Sequence, residues 1–181
     1  MIGPESSEKW LMKDPDGRRL GRRTGNVALR FEVYGFAEPK FDIYKAIHDR
    51  LYLIGSELVV DIGSNDGSFI FWLKNQVGNG QFIGIEPDES VMVPHQNQGK
   101  VRFYQGFGQK LPGYDRTVDV VTSNFMMYLA DDPHACLKEA KRVLRPDGRF
   151  VLTTSGYFNK VRHRLFEALI ASSRGATAPR I

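Results

Sequence analysis

Residues 58–68 of this 181-residue chain read Leu58-Val59-Val60-Asp61-Ile62-Gly63-Ser64-Asn65-Asp66-Gly67-Ser68. The apolar run at the start of this stretch is short enough to be a buried strand and ends in Asp61, before a glycine-rich turn. Gly63 and Gly67 are expected where a turn needs positive φ, and Asn65 tolerates that region better than most residues. A helix is expected to follow over residues 68–75. The stretch therefore predicts a strand, a glycine-rich turn and a helix.

A second apolar run, Phe82-Ile83-Gly84-Ile85, ends in Glu86, about 25 residues after Asp61. A carboxylate at the tip of the neighbouring strand can accept hydrogen bonds from ribose hydroxyls. The two runs together predict a nucleoside-binding site. Two alternatives stay open: the glycine-rich turn can join a strand to a helix without a ligand, and Glu86 can be a helix-capping or solvated carboxylate before Pro87.

Strands and helices alternate along the rest of the chain. Further strands are predicted over residues 81–86, 101–104, 118–123 and 149–154, with a turn at Pro146-Asp147-Gly148 before the last one. Helices are predicted over residues 41–53, from a cap at Asp131 or Asp132 to Leu144, and over residues 158–172, with a short helix opening at Pro87. This alternation is typical of an α/β fold with a parallel sheet, whose ligands bind beyond the carboxyl ends of the strands.

The composition limits the class of protein. A hydrophobic content of 41% is enough for a substantial core. Cys136 is the single cysteine, which excludes an internal disulfide framework, and no metal site is predicted. We favour a small core residue over a nucleophile for Cys136. The N-terminal residues lack the pattern of a signal peptide and no apolar run has membrane-spanning length, so the sequence predicts a cytoplasmic protein.

The net charge of +4 is unevenly distributed. Residues 1–30 hold seven basic and four acidic side chains, and residues 155–181 hold five and one. A basic end can meet phosphate, an anionic substrate or a membrane surface, yet a solvated surface is the commoner explanation. The charge therefore does not select a partner.

Four segments, in order and spacing, resemble the motifs of a known family. They are Val59 to Ser68, Phe82 to Asp88, Val118 to Asp131, and Leu144-Arg145-Pro146-Asp147-Gly148-Arg149-Phe150-Val151-Leu152. Together they resemble the class I S-adenosylmethionine-dependent methyltransferases of the small-molecule type. The resemblance covers residues 42–156.

This resemblance implies a Rossmann-like three-layer sandwich with a mainly parallel sheet of at least five strands in the order 3-2-1-4-5. The corresponding domain would span residues 41–181, after an N-terminal arm or lid of residues 1–40. The family sheet normally continues into an antiparallel hairpin, which has no counterpart after the fifth predicted strand. A truncated C-terminus is therefore expected.

The resemblance also implies S-adenosylmethionine as the cofactor and S-adenosylhomocysteine as its product. Asp61 would meet the methionine amino group, and Glu86 would accept hydrogen bonds from both ribose hydroxyls. Phe107 stands where many members have an acidic residue for the adenine amino group, so stacking and the Phe107 amide are expected to replace it. The cofactor-binding residues are predicted to be Asp61, Gly63, Ser64, Asn65, Gly67, Glu86, Pro87, Phe107 and Asn124.

Asp66 bears on the choice between cofactors. A dinucleotide would need its pyrophosphate at the N-terminus of the helix after the turn. The Asp66 carboxylate would repel a phosphate there. This favours the sulfonium cofactor, which carries no phosphate.

The sequence determines the methyl acceptor and the catalytic groups less well than the cofactor. Tyr34 is a candidate lid residue and His134 a candidate base, and both also have ordinary structural explanations. Residues 123–126 lack the two prolines of enzymes that methylate base amino groups, so a small organic acceptor, methylated on oxygen, nitrogen or carbon, is favoured over nucleic acid. The alternatives are an NAD(P)-dependent oxidoreductase or epimerase, a non-catalytic module that binds the cofactor or a partner, and, less favoured, an RNA methyltransferase.

Overall fold

The computed structural model describes residues 41–92 and 99–154. The strands are β1 (Leu58–Ile62), β2 (Gln81–Glu86), β3 (Val101–Gln105), β4 (Val118–Asn124) and β5 (Leu144–Thr153). The helices are α1 (Ile43–Leu51), α2 (Ser68–Val77), α3 (Glu89–Met92) and α4 (Pro133–Val143), and a 3₁₀ turn spans Met127–Leu129. The alternation predicted from the sequence is thus confirmed over these ranges.

The five strands form one sheet in the order β3-β2-β1-β4-β5, and every neighbouring pair is parallel. This confirms the predicted order and the Rossmann-like fold. The chain runs outward from β1 through β2 to β3 and then returns to place β4 on the other side of β1. The carboxyl ends of β1 and β4 therefore border the point where the strand order reverses, where ligands bind in open α/β sheets.

The core lies along the central strands. Helix α2 contacts β2 and β3, and α4 contacts β5. Strand β1 is buried at every position after Leu58, as expected for a parallel strand that is covered on both faces. The buried apolar residues of the sheet include Val59, Val60, Ile62, Phe82, Ile85, Val101, Val118, Val120 and Val121.

Local sequence signals explain where the two helices that flank the central strands begin. Gly67 precedes α2 with φ of 77°, a conformation that costs glycine little. Asp132 caps α4: its side chain accepts a hydrogen bond from the amide of Ala135 at 2.9 Å, and Pro133 follows in the first turn. Both starts agree with the sequence.

Strand β5 differs from its prediction. It begins at Leu144 rather than at Arg149, and the predicted turn lies inside it. Val118 pairs with Leu144 but Val120 pairs with Arg149, so residues 145–148 bulge out of the ladder. Pro146 has no amide hydrogen to donate, which suits a bulged position. The predicted turn and the predicted strand boundary were both wrong, because these residues form a bulge inside the strand.

Several predictions lie outside the described residues. They concern the arm of residues 1–40 with Tyr34, and the helix of residues 158–172. The division into an arm and a domain therefore stays a prediction. In the two described ranges, no helix combines the length and the apolar character needed to cross a membrane.

Candidate functional site

The turn after β1 is tied to the end of β2. The amides of Gly63 and Ser64 both donate to the carbonyl oxygen of Ile85, at 2.8 and 3.1 Å. Gly63 and Asn65 have φ of 77° and 49°, the left-handed region predicted for them. The turn is therefore fixed by backbone hydrogen bonds next to Glu86.

Asp61 is a buried carboxyl group with neutral hydrogen-bond donors. Its side chain is 2% exposed, and its Oδ1 accepts hydrogen bonds from Thr122 Oγ1 at 2.7 Å and from Asn124 Nδ2 at 3.2 Å. Burial raises the pKa of Asp61 to about 7, the two hydrogen bonds oppose this shift, and the negative charge of Glu86 adds to it. Asp61 is thus an acid poised to titrate near neutral pH, which a cationic ligand would hold ionised.

Glu86 joins two loops. It is 5% exposed, and its Oε2 accepts from the amide of Asn65 at 3.0 Å while Oε1 accepts from the amide of Asp88 at 3.1 Å. An ionised carboxylate offers about four acceptor positions, so these two contacts do not by themselves exclude two hydroxyl donors. Glu86 therefore holds the turns after β1 and β2 together and is suited to bind a diol.

Side chains of the protein explain why two of the turn positions are glycines. A Cβ atom on Gly63 would lie 2.3 Å from Met126 Cγ, and one on Gly67 would lie 2.4 Å from Phe103 Cζ. Ser64 is buried over Gly84, and its hydroxyl has no hydrogen-bond partner among the described residues. The turn is consequently packed against β3 and the loop after β4.

The N-terminus of α2 is occupied by a carboxylate of the chain itself. Asp66 Oδ1 accepts hydrogen bonds from the amide of Ser68 at 3.0 Å and from its hydroxyl at 2.7 Å. A phosphate that used this amide would have to displace a negative charge. The helix start is thus unsuited to a pyrophosphate, in line with the reasoning from sequence.

The loop after β3 also approaches Glu86. The amide of Gly106 donates to the Glu86 carbonyl oxygen at 3.1 Å, and Gln105 Nε2 donates to the carbonyl oxygen of Pro87 at 3.2 Å. Phe107 follows in this loop and is half-buried. The structure therefore brings Pro87 and the Phe107 loop to the same end of the sheet as Glu86.

The candidate catalytic residues are less well defined. Tyr34 lies outside the described residues. His134 is half-buried in the first turn of α4, where the structure gives it no described hydrogen bond. Cys136 is completely buried in the same helix, and burial raises its pKa to about 12, which fits the predicted core role rather than a nucleophile.

Reasoning from sequence missed three residues that shape this site. Thr122 and Thr153 belong to the hydrogen-bonded series that ends at Asp61, and Phe103 covers the Cβ position of Gly67. Thr122 could have been found, because it lies two residues before Asn124 on the same face of a strand next to β1. The others require the register of β5 and the packing of β3, which the sequence does not state.

Comparisons with known proteins place the chain in one family. A family model described as a methyltransferase domain matches residues 60–152, just over half of the chain. The demethylmenaquinone methyltransferase of Lactobacillus johnsonii is 29% identical over 126 residues, which cover 65% of this chain and 52% of the relative. The arsenite methyltransferase of Halobacterium salinarum is 34% identical over 104 residues, which cover 54% of this chain and 27% of the relative.

Among solved structures, a methyltransferase of Thermotoga maritima that depends on S-adenosylmethionine is 26% identical and superimposes with a TM-score of 0.54. The match covers 72% of this chain and 57% of that one. The chain spans about half the length of the curated relatives it matches. The matched family, the sheet order and the acids at the strand ends lead to one conclusion: this chain belongs to the methyltransferase domain family, within the class I methyltransferases whose cofactor is S-adenosylmethionine.

Proposed function

We propose that this protein transfers a methyl group from S-adenosylmethionine to a small organic acceptor, on oxygen, nitrogen or carbon. The observation that carries the proposal is the pair of buried carboxyl groups, Asp61 and Glu86, at the ends of adjacent parallel strands. Buried carboxyl groups at the ends of strands cluster at functional sites, because a ligand uses the charges and acceptors that burial holds in place. The cofactor supplies both a cationic amino group and a ribose diol.

The residues present fit this cofactor. Asp61 would hold the amino group, because a nearby cation favours the ionised form of a carboxyl group whose pKa burial has raised to about 7. Glu86 would accept the ribose hydroxyls, and the Gly63–Gly67 turn would lie along the methionine and ribose. Pro87 and Phe107 would border the adenine. When bound, the cofactor supplies an electrophilic methyl group on a sulfonium.

The contribution of the chain to such a reaction is alignment and exclusion of water. Methyl transfer is an in-line displacement, so the acceptor must be held opposite the departing sulfur. The rigid turn, fixed by Ile85 and Glu86, supports one half of that alignment. A base is needed only for acceptors that must lose a proton. Tyr34 as a lid residue and His134 as a base remain proposals.

The relatives do not determine the acceptor. Their names include a demethylmenaquinone methyltransferase, a malonyl-[acyl-carrier protein] O-methyltransferase and an arsenite methyltransferase, which act on unlike molecules. A small-molecule acceptor rather than nucleic acid is therefore proposed as a class only. A cytoplasmic location belongs to the same proposal, and the free, buried thiol of Cys136 is compatible with a reducing compartment.

Isothermal titration calorimetry tests the cofactor directly. We expect S-adenosylmethionine and S-adenosylhomocysteine to bind and NAD not to bind, because Asp66 occupies the helix start that a pyrophosphate would use. Binding of NAD alone would overturn the proposal in favour of an oxidoreductase. If the cofactor binds, transfer of labelled methyl to small acceptors is the second step, and consistent failure with the complete protein would indicate a non-catalytic module.

Glu86→Gln tests the ribose assignment, and the chain offers a matched control. Glu57 is also buried, at 4% exposed, and also accepts two backbone amides, those of Ile54 and Gly55, but at the opposite end of β1. Both substitutions should lower the free energy of unfolding, since each replaces an acceptor oxygen by a donor. Only Glu86→Gln should weaken S-adenosylhomocysteine binding, by about tenfold or more. Equal affinities in the two variants would refute the assignment.

A further inference from the structure

We infer that Thr153 is a positioning residue for the cofactor: from β5 it orients the amide of Asn124 so that this amide donates to Asp61. The inference rests on the proposed function, because Asp61 is the residue assigned to the cofactor amino group. Thr153 itself belongs to a strand that has no assigned role at the site. Its influence would therefore pass through Asn124.

The hydrogen bonds form a chain across three strands. Thr153 Oγ1 donates to Asn124 Oδ1 at 3.2 Å, and Asn124 Nδ2 donates to Asp61 Oδ1 at 3.2 Å. Asn124 and Thr153 are register partners in the β4–β5 pair, and Asp61 pairs with Thr122 in the β1–β4 pair. Because register partners lie on the same face of a sheet, the three side chains are held in line by the strands.

The direction of these hydrogen bonds matters because the side-chain amide of Asn124 has an accepting oxygen at one end and a donating NH₂ group at the other. A hydroxyl at position 153 stabilises the amide with its oxygen towards β5 and its NH₂ group towards β1. Without that hydroxyl, the amide can rotate by half a turn and present its oxygen to Asp61. An oxygen next to Asp61 favours the protonated carboxyl group, which can donate, and disfavours the carboxylate, which cannot.

The groups around Asp61 determine how strongly the orientation of the Asn124 amide affects its ionisation. From β2 it faces Glu86, whose negative charge opposes ionisation, and from β4 it faces the uncharged Thr122 and Asn124. Among the described residues, no cationic side chain contributes to its titration. Neutral donors thus oppose the effect of burial, and Thr153 keeps one of the two in place.

The expected result follows because only the ionised form of Asp61 carries the charge that holds an amino group. We expect Thr153→Val, which keeps the shape but removes the hydroxyl, to raise the pH at which affinity for S-adenosylhomocysteine falls to half, by about half a unit to one unit. Near neutral pH the variant should bind about twofold to fivefold more weakly, and well below the pKa of Asp61 about threefold to tenfold more weakly. Well above the pKa of Asp61 it should bind like the parent protein, because Asp61 is then ionised in both.

Calorimetric titrations of the full chain with S-adenosylhomocysteine, from about two pH units below to about two above the pKa of Asp61, measure this shift. Comparison with the parent cancels the titration of the ligand itself. Thr153→Ser should restore the parent profile, and Thr153→Ala, a second variant without the hydroxyl, should reproduce the shift. Thr154→Val is the matched control, since the hydroxyl of Thr154 has no hydrogen-bond partner among the described residues.

An unshifted midpoint in Thr153→Val and Thr153→Ala would overturn the inference. So would an equal loss of affinity at every pH, which indicates general damage to the site, or an equal shift in Thr154→Val. Failure of the proposed function has a different signature, because the parent protein would then not bind S-adenosylhomocysteine at any pH.

Discussion

Gly63 illustrates how a single position serves two requirements. Its φ of 77° favours glycine, which the sequence predicted from the turn. The structure adds that Met126, from the loop after β4, covers the place of a side chain, with Cγ 2.3 Å from an ideal Cβ. The backbone requirement can be predicted from neighbouring residues, whereas the packing requirement depends on a residue 63 positions later.

Gly63→Ala separates these two requirements when it is compared with Gly99→Ala. Gly99 also has positive φ, at 64°, but the nearest atom to a Cβ there would be Lys74 Nζ at 3.8 Å, an ordinary contact. Gly99→Ala should therefore cost the conformational penalty alone, about 1–2 kcal/mol, and Gly63→Ala should cost about 1–3 kcal/mol more from overpacking. Urea denaturation measures both losses.

Met126→Ala provides the internal check on that prediction. In the Gly63→Ala background it should recover part of the lost stability, because it removes the atoms that the new methyl group meets. Equal losses in the two alanine variants, or no recovery in the double variant, would show that Met126 does not limit this position.

At the scale of elements, α4 fixes the loop that enters β4. Arg142 donates to Glu139 within the helix, to the carbonyl oxygens of Leu111 and Gly113, and to Asp115. Glu139 in turn accepts from the amide of Leu111 at 2.9 Å. These hydrogen bonds hold the pKa of Arg142 above its usual range and that of Glu139 below it. The helix therefore sets the path of a loop that has no regular structure of its own.

Arg142→Lys should destabilise the protein by about 1–3 kcal/mol, although it keeps the charge, because an ammonium group cannot reach both carbonyl oxygens and both carboxylates at once. Lys141→Met, at the preceding and exposed position, is the control, and it should change stability by less than about 0.5 kcal/mol. Thermal unfolding at moderate salt gives the comparison. A loss for Arg142→Lys no larger than for the control would mean that the network adds nothing measurable.

The elements themselves were largely predictable from the chain. Strand β2 was predicted with its observed bounds and β1 ends one residue later than predicted, at Ile62 instead of Asp61, because apolar runs next to glycine-rich turns mark buried strands clearly. The start of β5 was missed, since Pro146 and Gly148 are typical of a turn and the ladder accommodates them as a bulge only through pairing with β4. Pairing of distant segments is the information that local patterns lack.

At the scale of the whole molecule, the sheet order places Asp61 next to its switch point and Glu86 at the end of the neighbouring strand β2. Asp61 and Glu86 were predictable, because each ends an apolar run that has to become a parallel strand. The hydrogen-bond chain through Asn124 to Thr153 was not, because it depends on the register of three strands. The position of a side chain along its strand could thus be predicted from sequence, whereas its hydrogen-bond partners on neighbouring strands could not.

The buried Asp61 should cost the ligand-free protein stability at neutral pH. Its pKa is about 7 in the folded state and about 3.9 in an unfolded chain, so between these values the folded state binds a proton that the unfolded state has lost. Stability therefore falls as the pH rises from about 4 to about 7 and levels off above. A shift of this size corresponds to at most about 4 kcal/mol.

Asp61→Asn removes that titration while its amide oxygen can still accept from Thr122 and Asn124. Relative to the parent, the ligand-free variant should gain stability progressively from about pH 4 to about pH 7, and the gain should then stay constant. Urea unfolding of both proteins across this range measures the difference, in which all other titrating groups cancel. The same variant should lose affinity for S-adenosylhomocysteine, so that binding and folding respond in opposite directions to one substitution. A difference in stability that does not change with pH would contradict the raised pKa, and an unchanged affinity would contradict the assigned role.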